Sequence, residues 1–248
     1  MLKVANPIPC RLCPLAACPE LRPHSEEEIP QIQRFKTGEV RVERGEAVIE
    51  QDVSRGGLYT ILEGMLMRYR SLADGRRQIV NFMFPGDLVG LQAAFGETAT
   101  HSVEALRSSR LRVFDYPRYF DIVTAQPRLA YDITWLAAKE ERALEEHLVA
   151  LGRRSARERV AYLAVWLLQR ARGTCLIDDK DRLEVTITQN QIADMLGLSL
   201  VHTNRTIKAL ERSGEVHWRQ NSIIVPDMAA AAELAHYDST QERQRPYL

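Results

Sequence analysis

Three of the chain's four cysteines lie close together near the N-terminus, in the stretch PCRLCPLAACPE. Cys10, Cys13 and Cys18 follow the spacing C-x2-C-x4-C, which is short enough for one loop to wrap a metal centre. Thiolates bind zinc and iron–sulfur centres, and they also pair as disulfides. The spacing alone is permissive, so a disulfide, a zinc site, iron–sulfur ligands and unligated thiols are all open at this point.

Neighbouring residues define two of these alternatives. Cys10, Cys13 and Cys18 together with His24 would form a Cys3His zinc site. In the alternative without metal, the three cysteines are free and pack against nearby leucines, which are Leu12, Leu15 and Leu21.

The composition is that of a globular protein. The 248 residues are enough for one or two domains, and the formal net charge is zero. Zero net charge argues against a surface that is basic throughout, but a local basic face is still possible. Pro7 and Pro9 interrupt any signal-peptide core, and the longest apolar run, at 161–168, is too short for a membrane span. We therefore expect a cytoplasmic protein with no membrane partner, where clustered cysteines more often bind metal than form disulfides.

Short strand patterns punctuated by glycine dominate residues 35–118. Runs such as VRVERGEAVIE, LYTILEGMLMRYRSL and RRQIVNFMF alternate or carry β-branched and aromatic residues, as strands do. Asp74-Gly75 lies between two of these runs and is a strong hairpin signal. These patterns predict a compact antiparallel β-roll.

From Pro127 the apolar period changes to that of a helix. Apolar residues recur every three or four positions, with no internal proline, as far as Gly152. Such a helix packs on a twin helix or on its own domain, so a dimer interface and a surface helix over the β-roll are both open. The candidate interface residues are Ile133, Leu136, Ala137, Glu140, Leu144, His147, Leu148 and Leu151. Residues 155–171 form a second predicted helix.

The last third of the chain carries the signals of two short helices. Thr188 followed by Gln191 has capping-box spacing at the start of the first helix. Gly197 supplies a left-handed turn after it, because a Cβ would hinder that conformation. Ser199 then caps a second helix, which ends before Gly214.

A hairpin is predicted after the second helix. The run VHWRQNSIIV has two short strand patterns that would turn at Gln220-Asn221 and form a wing. Two helices with a short glycine-containing turn and a wing predict a winged helix-turn-helix. A helical hairpin that serves only for packing is the alternative.

One face of the second helix is predicted to meet DNA. If Thr203, Ile207 and Leu210 face the core, helical geometry turns the intervening polar residues outward. The predicted DNA-binding residues are Ser199, Val201, His202, Asn204, Arg205, Lys208 and Arg212.

The side-chain chemistry divides these residues by role. Arg205 is the candidate for base reading, because its forked donors match the O6/N7 edge of guanine. Asn204 would reach an adenine edge if the helix lay slightly rotated. The other polar members suit phosphate oxygens, which position a helix without specifying sequence. For Lys208 and Arg212 a merely solvated helix face is a close alternative.

A β-roll, a long helix and a winged helix-turn-helix, in this order, resemble the Crp/Fnr family of bacterial transcription regulators. The resemblance rests on the stretches 62–95, 156–168 and 188–214. It implies an α+β chain with an N-terminal antiparallel β-roll of the cupin-like, cyclic-nucleotide-binding type, a long dimerisation helix and a C-terminal winged helix-turn-helix. The expected boundaries are 1–28 for the cysteine segment, 29–126 for the β-roll, 127–152 for the dimerisation helix, 153–238 for the DNA-binding domain and 239–248 for a flexible C-terminal tail.

The resemblance also implies partners. It predicts a homodimer across the helix from about residue 130 to 151. Two recognition helices would then enter successive major grooves of near-palindromic double-stranded DNA, with half-sites about 34 Å apart. RNA polymerase is a further expected partner. The sequence has no G-x-S-x-G, H-E-x-x-H or P-loop motif, so an enzyme is not expected.

Two departures from the family pattern argue against cAMP as a ligand. Members that bind cyclic nucleotides hold the ribose with a Glu after the GDxxG turn, and the phosphate with an Arg-Ser pair. In this chain Leu91 follows GDLVG, and the later pair aligns as His101-Ser102. An apolar side chain cannot accept a hydrogen bond from a ribose hydroxyl, and a neutral histidine is a poor substitute for a guanidinium.

The recognition helix departs from the pattern as well. Oxygen-regulator members carry Glu and then Ser-Arg where this chain has Val201, Asn204 and Arg205. The retained arginine keeps a guanine contact, whereas Val201 would touch a thymine methyl group. This chain is therefore not expected to bind the same operator sequence as those members.

The oxygen-sensing branch of the family binds a [4Fe–4S] cluster through three N-terminal cysteines and a fourth ligand in the sensory domain. Cys10, Cys13 and Cys18 stand in the matching place, but the fourth ligand is not identified, because no cysteine lies in the predicted β-roll or long helix. The resemblance puts Cys175 away from the N-terminus as an ordinary thiol, with a redox role as the lesser alternative. Glu140 near the helix seam would disfavour dimerisation through like-charge proximity.

These features predict a dimeric, sequence-specific DNA-binding regulator that senses oxygen or redox state through its N-terminal cysteines. The alternative is the same regulator controlled by another small ligand or by its abundance, without a metal cluster. Leu91 and Phe95 beside the altered nucleotide site favour an apolar or haem-like ligand. A protein of this fold that has lost DNA binding is a third possibility.

Overall fold

The computed structural model describes residues 3–53, 57–178, 181–184, 187–219, 222–238 and 244–248. A cysteine-containing segment and a β-roll come first, a long helix follows, and a winged helix-turn-helix lies in the C-terminal part. The predicted α+β fold class and the order of its parts are confirmed.

The β-roll consists of two antiparallel sheets. The first has the strand order β1-β2-β9-β4-β7, and the second has the order β3-β8-β5-β6. Side chains from both sheets, including Val42, Ile61, Leu66 and Val103, meet in one buried core. The strands are β1 Lys3–Ala5, β2 Lys36–Val42, β3 Ala47–Ile49, β4 Leu58–Glu63, β5 Leu66–Ser71, β6 Arg77–Met83, β7 Leu88–Val89, β8 Ser102–Ala105 and β9 Ser109–Phe114.

The hairpin expected at Asp74-Gly75 joins β5 to β6. The two strands pair from Leu66 opposite Met83 to Ser71 opposite Arg77, with one irregularity between. Gly75 has a φ of +84°, a left-handed conformation that glycine adopts without steric penalty. This prediction is confirmed.

Seven helices of the described chain flank the roll and build the C-terminal half. They are α1 Glu28–Phe35, α2 Tyr119–Ala125, α3 Pro127–Arg153, α4 Ala156–Gly173, α5 Gln189–Leu196, α6 Leu200–Ser213 and α7 Met228–Leu234. Pro127 opens α3, at a position where the missing N–H group has no helical partner to lose. None of the helices in the described ranges has both the length and the apolarity that crossing a membrane requires.

Helix α4 connects the β-roll to the C-terminal helices. It begins with a capping box between Ser155 and Glu158, and its central turns are buried on all sides. Trp166 packs edge-on against Phe84 of the β-roll, with ring centroids 5.7 Å apart. The same core includes Ile207 of α6, so one helix contributes to the packing of both units.

The C-terminal unit is a winged helix-turn-helix, as predicted. Gly197, between α5 and α6, has a φ of +61°, which places it in the left-handed region that ends many helices. The wing strands β11 and β12 pair with Trp218 opposite Ile223, and the turn at Gln220-Asn221 lies outside the described residues. The sheet has the order β10-β12-β11, with β10 Leu183–Glu184, β11 His217–Arg219 and β12 Ser222–Ile224.

Residues 244–248 are packed against the N-terminal segment, which corrects the prediction of a flexible tail for these positions, whereas 239–243 of the predicted tail lie outside the described residues. Main-chain hydrogen bonds of 2.8 and 2.7 Å join Arg245 to Arg22 and Glu20. Tyr247 and Leu248 lie in hydrophobic cores at this end, and Pro246 is buried beside them. Removing two large side chains from water favours the packed state, which the position of a segment in the sequence does not reveal.

Candidate nucleic-acid interface

Helix α6 separates an inward face from an outward face as the sequence predicts. Thr203, Ile207 and Leu210 are buried in the core beneath the helix. On the opposite side the exposed residues follow steps of four, three and four positions. This exposed row consists of Val201, Arg205, Lys208 and Arg212. Three cations and one apolar side chain therefore point away from the protein along one stripe.

Local hydrogen bonds hold α6 in place. The Thr188 hydroxyl accepts from the main-chain N–H of Gln191, whose side chain accepts from the N–H of Thr188, so the predicted capping box is present. The Ser199 hydroxyl accepts from the N–H of His202 at 3.2 Å. Its own O–H group is still available as a donor, as the predicted phosphate contact requires.

Asn204 has a partner that the sequence analysis missed. Its side-chain amide donates to Oε1 of Gln189 at 2.8 Å, which ties α6 to the first turn of α5. An adenine contact by Asn204, which we predict for a slightly rotated helix, would have to replace this hydrogen bond. Gln189 is exposed, and nothing in its sequence context distinguishes it from a solvated residue.

A second missed contact fixes the end of α6. Nη2 of Arg157 on α4 donates to both carboxylate oxygens of Glu215, at 2.5 and 2.6 Å. The contact joins the start of α4 to the residue after Gly214, which stops α6. The two residues are 58 positions apart, so no local pattern could have found the pair.

The β-roll holds α5 rather than α6. Nε of Arg77 on β6 donates to Asp194 at 2.6 Å, and the side-chain amide of Gln78 donates to the carbonyl of Met195 at 3.0 Å. These contacts dock the first helix of the helix-turn-helix on the β-roll and leave the exposed row of α6 accessible.

Three of the predicted dimer residues are buried within their own chain, which corrects their assignment. Ile133 packs in a core with Phe35 and Leu58, and Leu136 and His147 are also buried. These side chains lie on the side of α3 that packs against the β-roll and α4. These three side chains are thus unavailable to a second copy of the helix.

Glu140 is also engaged inside the chain. Its Oε1 accepts from Nη2 of Arg68 at 2.5 Å and from the amide of Asn81 at 2.8 Å. Glu140 therefore does not supply the predicted like-charge repulsion at the dimer seam, because Arg68 neutralises this carboxylate within the chain. The same Asn81 also contacts His147.

The remaining predicted dimer residues lie on an open face of α3. Leu148 is 69% exposed, Ala137 is exposed, and Leu144 and Leu151 are half-buried. With Glu141 between them, these positions follow alternating steps of four and three, which is the spacing of a coiled-coil seam. We call this set, Ala137, Glu141, Leu144, Leu148 and Leu151, the open seam.

His147 is a neutral buried base inside the chain. Burial, with the nearby charges of Arg68 and Arg154, lowers its pKa from 6.5 to about 3. In the neutral form its Nδ1 accepts from the Tyr162 hydroxyl at 2.8 Å, and its Nε2–H donates to Asn81 at 3.2 Å.

The low pKa of His147 predicts acid destabilisation. Below pH 6.5 the unfolded chain takes up a proton that the folded chain does not, so the stability is present above pH 6.5 and falls toward pH 3. We expect this residue to lower the free energy of unfolding by about 2 kcal/mol between pH 7 and pH 5. Urea unfolding at both pH values should show a smaller loss for His147→Gln than for wild type. The half-exposed His202→Gln is the control, and equal losses in all three proteins would contradict the assignment.

A cavity of about 580 Å³ lies between the β-roll and α3. Leu91 and His101, the two departures from the nucleotide-binding pattern, both line it. Burial, followed by the charges of Arg68 and Arg70, lowers the pKa of His101 to about 4. A neutral imidazole and an apolar side chain thus stand where a cyclic nucleotide would need a cation and a carboxylate.

Cys10, Cys13 and Cys18 do not share one site, as a [4Fe–4S] cluster or a zinc site would require. Cys10 and Cys13 are buried in two different hydrophobic cores, and the Cys13 sulfur accepts from Nη2 of Arg112 at 3.0 Å. Cys18 is joined to Cys175. The expectation that Cys175 lies away from the N-terminus is therefore wrong.

The predicted metal groups do not match this arrangement. Within the described ranges, no three or more His, Cys, Asp or Glu side chains are placed to hold a metal ion. His24, the proposed zinc ligand, packs on the ring of Tyr247 with centroids 4.1 Å apart. As folded here, the residues fit neither a [4Fe–4S] cluster nor a Cys3His zinc site.

Comparison with known proteins bears on the whole chain. Residues 39–125 match the model of the cyclic nucleotide-binding domain, and residues 158–234 match that of the Crp-like helix-turn-helix domain. The nitrogen fixation regulation protein FixK of Bradyrhizobium diazoefficiens is 31% identical over 227 residues, 91% of this chain and 92% of that protein. The chain belongs to the Crp/Fnr family.

Other members of the Crp/Fnr family are similar in sequence and structure. The transcriptional activatory protein AadR of Rhodopseudomonas palustris is 29% identical over 231 residues, 93% of this chain and 90% of its own. The solved structure of FixK2 from Bradyrhizobium japonicum superposes with a TM-score of 0.69 at 25% identity, over 82% of this chain and 98% of that chain. The relatives are transcription regulators, so this Crp/Fnr chain is a DNA-binding regulator and not an enzyme.

Proposed function

We propose that this Crp/Fnr protein is a homodimer that binds near-palindromic double-stranded DNA and regulates transcription in response to redox state through its N-terminal cysteines. The exposed row on α6 carries the proposal. Three cations on one stripe of a helix-turn-helix suit a polyanion, and the arrangement has no evident role in packing.

Each member of the exposed row has a part in DNA binding. Arg205 reads guanine with its two parallel donors, and Val201 lies against a thymine methyl group. Lys208 and Arg212 contact phosphates and set the position of the helix on the duplex. The hydroxyl of Ser199 and the half-exposed His202 add phosphate contacts at the start of α6.

The open seam of α3 supports the homodimer. Its leucines, Leu144, Leu148 and Leu151, would be removed from water by a second copy of the helix. A twofold axis between the two α3 helices relates the two α6 helices, so the half-sites are inverted copies about 34 Å apart and the operator is near-palindromic. RNA polymerase is the expected partner of the DNA-bound dimer. The expected location of the dimer is the cytoplasm.

The redox response rests on the position of the cysteines. The disulfide bond between Cys18 and Cys175 joins the N-terminal segment to the DNA-binding half of the chain. It requires no metal, and Leu91 and His101 disfavour cAMP as the signal.

A second candidate signal is a small apolar ligand in the 580 Å³ cavity, which is lined by Leu88, Leu91, Val103 and Leu144. Under this alternative the ligand, rather than the cysteines, would set DNA affinity. Operator binding that is unchanged by air, by reductant and by chelators would favour the ligand, or control by abundance alone.

Selection from a pool of randomised duplexes tests the DNA-binding proposal. The full chain should enrich a near-palindrome whose half-site centres are about one helical turn apart. A pool that stays random after repeated rounds would contradict sequence-specific binding. The enriched duplex is called the selected operator below.

A further inference from the structure

Cys18 and Cys175 are neighbours in space although 157 positions separate them in the sequence. Their Cα atoms lie 5.4 Å apart, which is within the range of disulfide-bonded pairs, and the two sulfurs are joined. Cys18 follows the short helical turn Pro14–Ala17, and Cys175 lies in the link after α4. This link continues to β10, the strand that pairs with the wing.

The two sulfurs differ in accessibility. Cys18 is 5% exposed and lies in a core with Leu15, Leu21 and Leu62, whereas Cys175 is exposed. A dissolved reagent therefore reaches Cys175 first, since exchange requires access to the attacking thiolate. Cys18 is positioned to react only with a sulfur that is already on Cys175.

Cys175 has a left-handed backbone conformation. Its φ is +60°, in the left-handed region that helix ends normally fill with glycine. The N–H of Leu176 donates to the carbonyl of Ala171 at 3.0 Å and closes the turn around it. A thiol is thus present where backbone preference alone favours a residue without a side chain.

Other contacts hold the N-terminal segment beside this link. The N–H of Glu20 donates to the carbonyl of Gly173 at 3.3 Å. Asp87 of the β-roll accepts from Arg170 on α4 and from Arg245 near the C-terminus, both at 2.6 Å. The segment that carries Cys18 therefore stays close to Cys175, so a broken bond can form again.

We propose that Cys18 and Cys175 form a reversible dithiol–disulfide pair that exchanges with low-molecular-weight disulfides and thiols. The proposal rests on the proposed redox response and names the residues and the reactant class behind it. The Cys175 thiolate attacks a small disulfide RSSR, forms a mixed disulfide and releases RS⁻. The Cys18 thiolate then attacks the Cys175 sulfur and releases the second RS⁻. Two cysteine thiols and one RSSR thus become one protein disulfide and two RSH, and excess thiol reverses both steps.

The other two cysteines supply controls within the same chain. Burial raises the pKa of the Cys10 thiol, which lowers its thiolate fraction and its reactivity. Cys13 is buried against Arg112. Neither lies in the Cys18–Cys175 bond, so Cys10→Ser should leave the exchange unchanged.

The experiment uses full-length protein that is first reduced and then treated with oxidised glutathione. Free thiols are alkylated, and unreduced peptides are mapped by mass spectrometry. Wild type and Cys10→Ser should give the Cys18–Cys175 peptide, and reduced glutathione should reverse it. Cys18→Ser should accumulate glutathione on Cys175 at least about 10-fold above wild type, because the resolving thiol is missing. In Cys175→Ser, Cys18 should stay a thiol.

Three results would overturn the proposal. They are a wild-type bond that persists in reduced glutathione, glutathione on Cys18 of Cys175→Ser, and cross-links through Cys10 or Cys13 in place of Cys175. Thermal unfolding shows whether the variants fold. Oxidised wild type should melt about 4–16 °C above the reduced form, and Cys175→Ser should show no such difference.

Affinity for the selected operator separates this chemistry from the proposed function. A redox response predicts a difference of about fivefold or more between oxidised and reduced wild type, which Cys175→Ser abolishes. Equal affinities would contradict the redox response and leave the exchange chemistry intact. Failure of the exchange would likewise leave DNA binding intact, because the selection experiment does not depend on it.

Discussion

Arg205→Ala is expected to weaken binding to the selected operator by about 1–3 kcal/mol in each half-site, which is about 5- to 160-fold in Kd for each of the two half-sites. Arg205 is exposed on the outward row of α6, where its guanidinium can donate to both guanine acceptors. Alanine leaves these acceptors without partners in a groove from which water is partly excluded. Titration of labelled operator and of a random duplex, followed by fluorescence anisotropy, measures the loss.

The matched control is Lys208→Ala on the same row. A phosphate contact carries no sequence information, so this variant should weaken both duplexes alike. It should also reduce the slope of log K against log salt by about one for each phosphate that the lysine no longer neutralises. If Arg205→Ala weakened operator and random duplex equally, Arg205 would be a phosphate contact and the assignment of base reading would be wrong.

Leu148→Glu is expected to convert the dimer into a monomer. Leu148 is 69% exposed and is the fourth of the five positions of the open seam, seven residues from Glu141. The substitution would bring further like charges together where apolar side chains should pack, and burying an unpaired carboxylate is strongly unfavourable. A monomer holds one half-site only, so operator affinity should fall by about 10²- to 10⁴-fold. Sedimentation velocity and operator titration measure the two effects.

Leu72→Glu is the control for charge and exposure. Leu72 is 58% exposed and lies in the turn between β5 and β6, outside the open seam. This variant should remain a dimer and bind the operator as wild type does. A Leu148→Glu protein that sediments as a dimer would show that α3 is not the subunit interface.

The helix-turn-helix could be predicted because its signals are local. The capping box at Thr188 and Gln191, the turn at Gly197 and the cap at Ser199 each act within four residues. The three-to-four-residue period then determined which side of α6 is buried, as Thr203 illustrates. The hairpin at Asp74-Gly75 was predictable for the same reason.

The face of α3 was harder to predict because periodicity does not name the partner. A stripe that packs on the chain's own β-roll and a stripe that packs on a second copy are both apolar. Ile133 and His147 pack within their own chain, whereas Leu148 is 69% exposed in the single chain. Polar contacts such as that of Glu140 with Arg68 depend on where the β-roll meets the helix.

Contacts between distant positions lay beyond the reach of the sequence. Cys18 and Cys175, like Arg157 and Glu215, meet only after the chain has folded. The packing of residues 244–248 on the N-terminal segment has the same origin. Composition and spacing suggested metal binding for the cysteines. Neither contains information on which side chains the fold brings beside each cysteine, so the Cys18–Cys175 pair could not be predicted.

The most direct test of the central claim is to repeat the selection from randomised duplexes with Arg205→Ala beside wild type. The pool selected by wild type should contain a guanine at the same position of each half-site, where the two copies of Arg205 contact the major groove. The variant pool should lose this guanine and keep the remaining positions and the spacing. Identical pools from the two proteins would contradict the account, because the operator would then be read without Arg205.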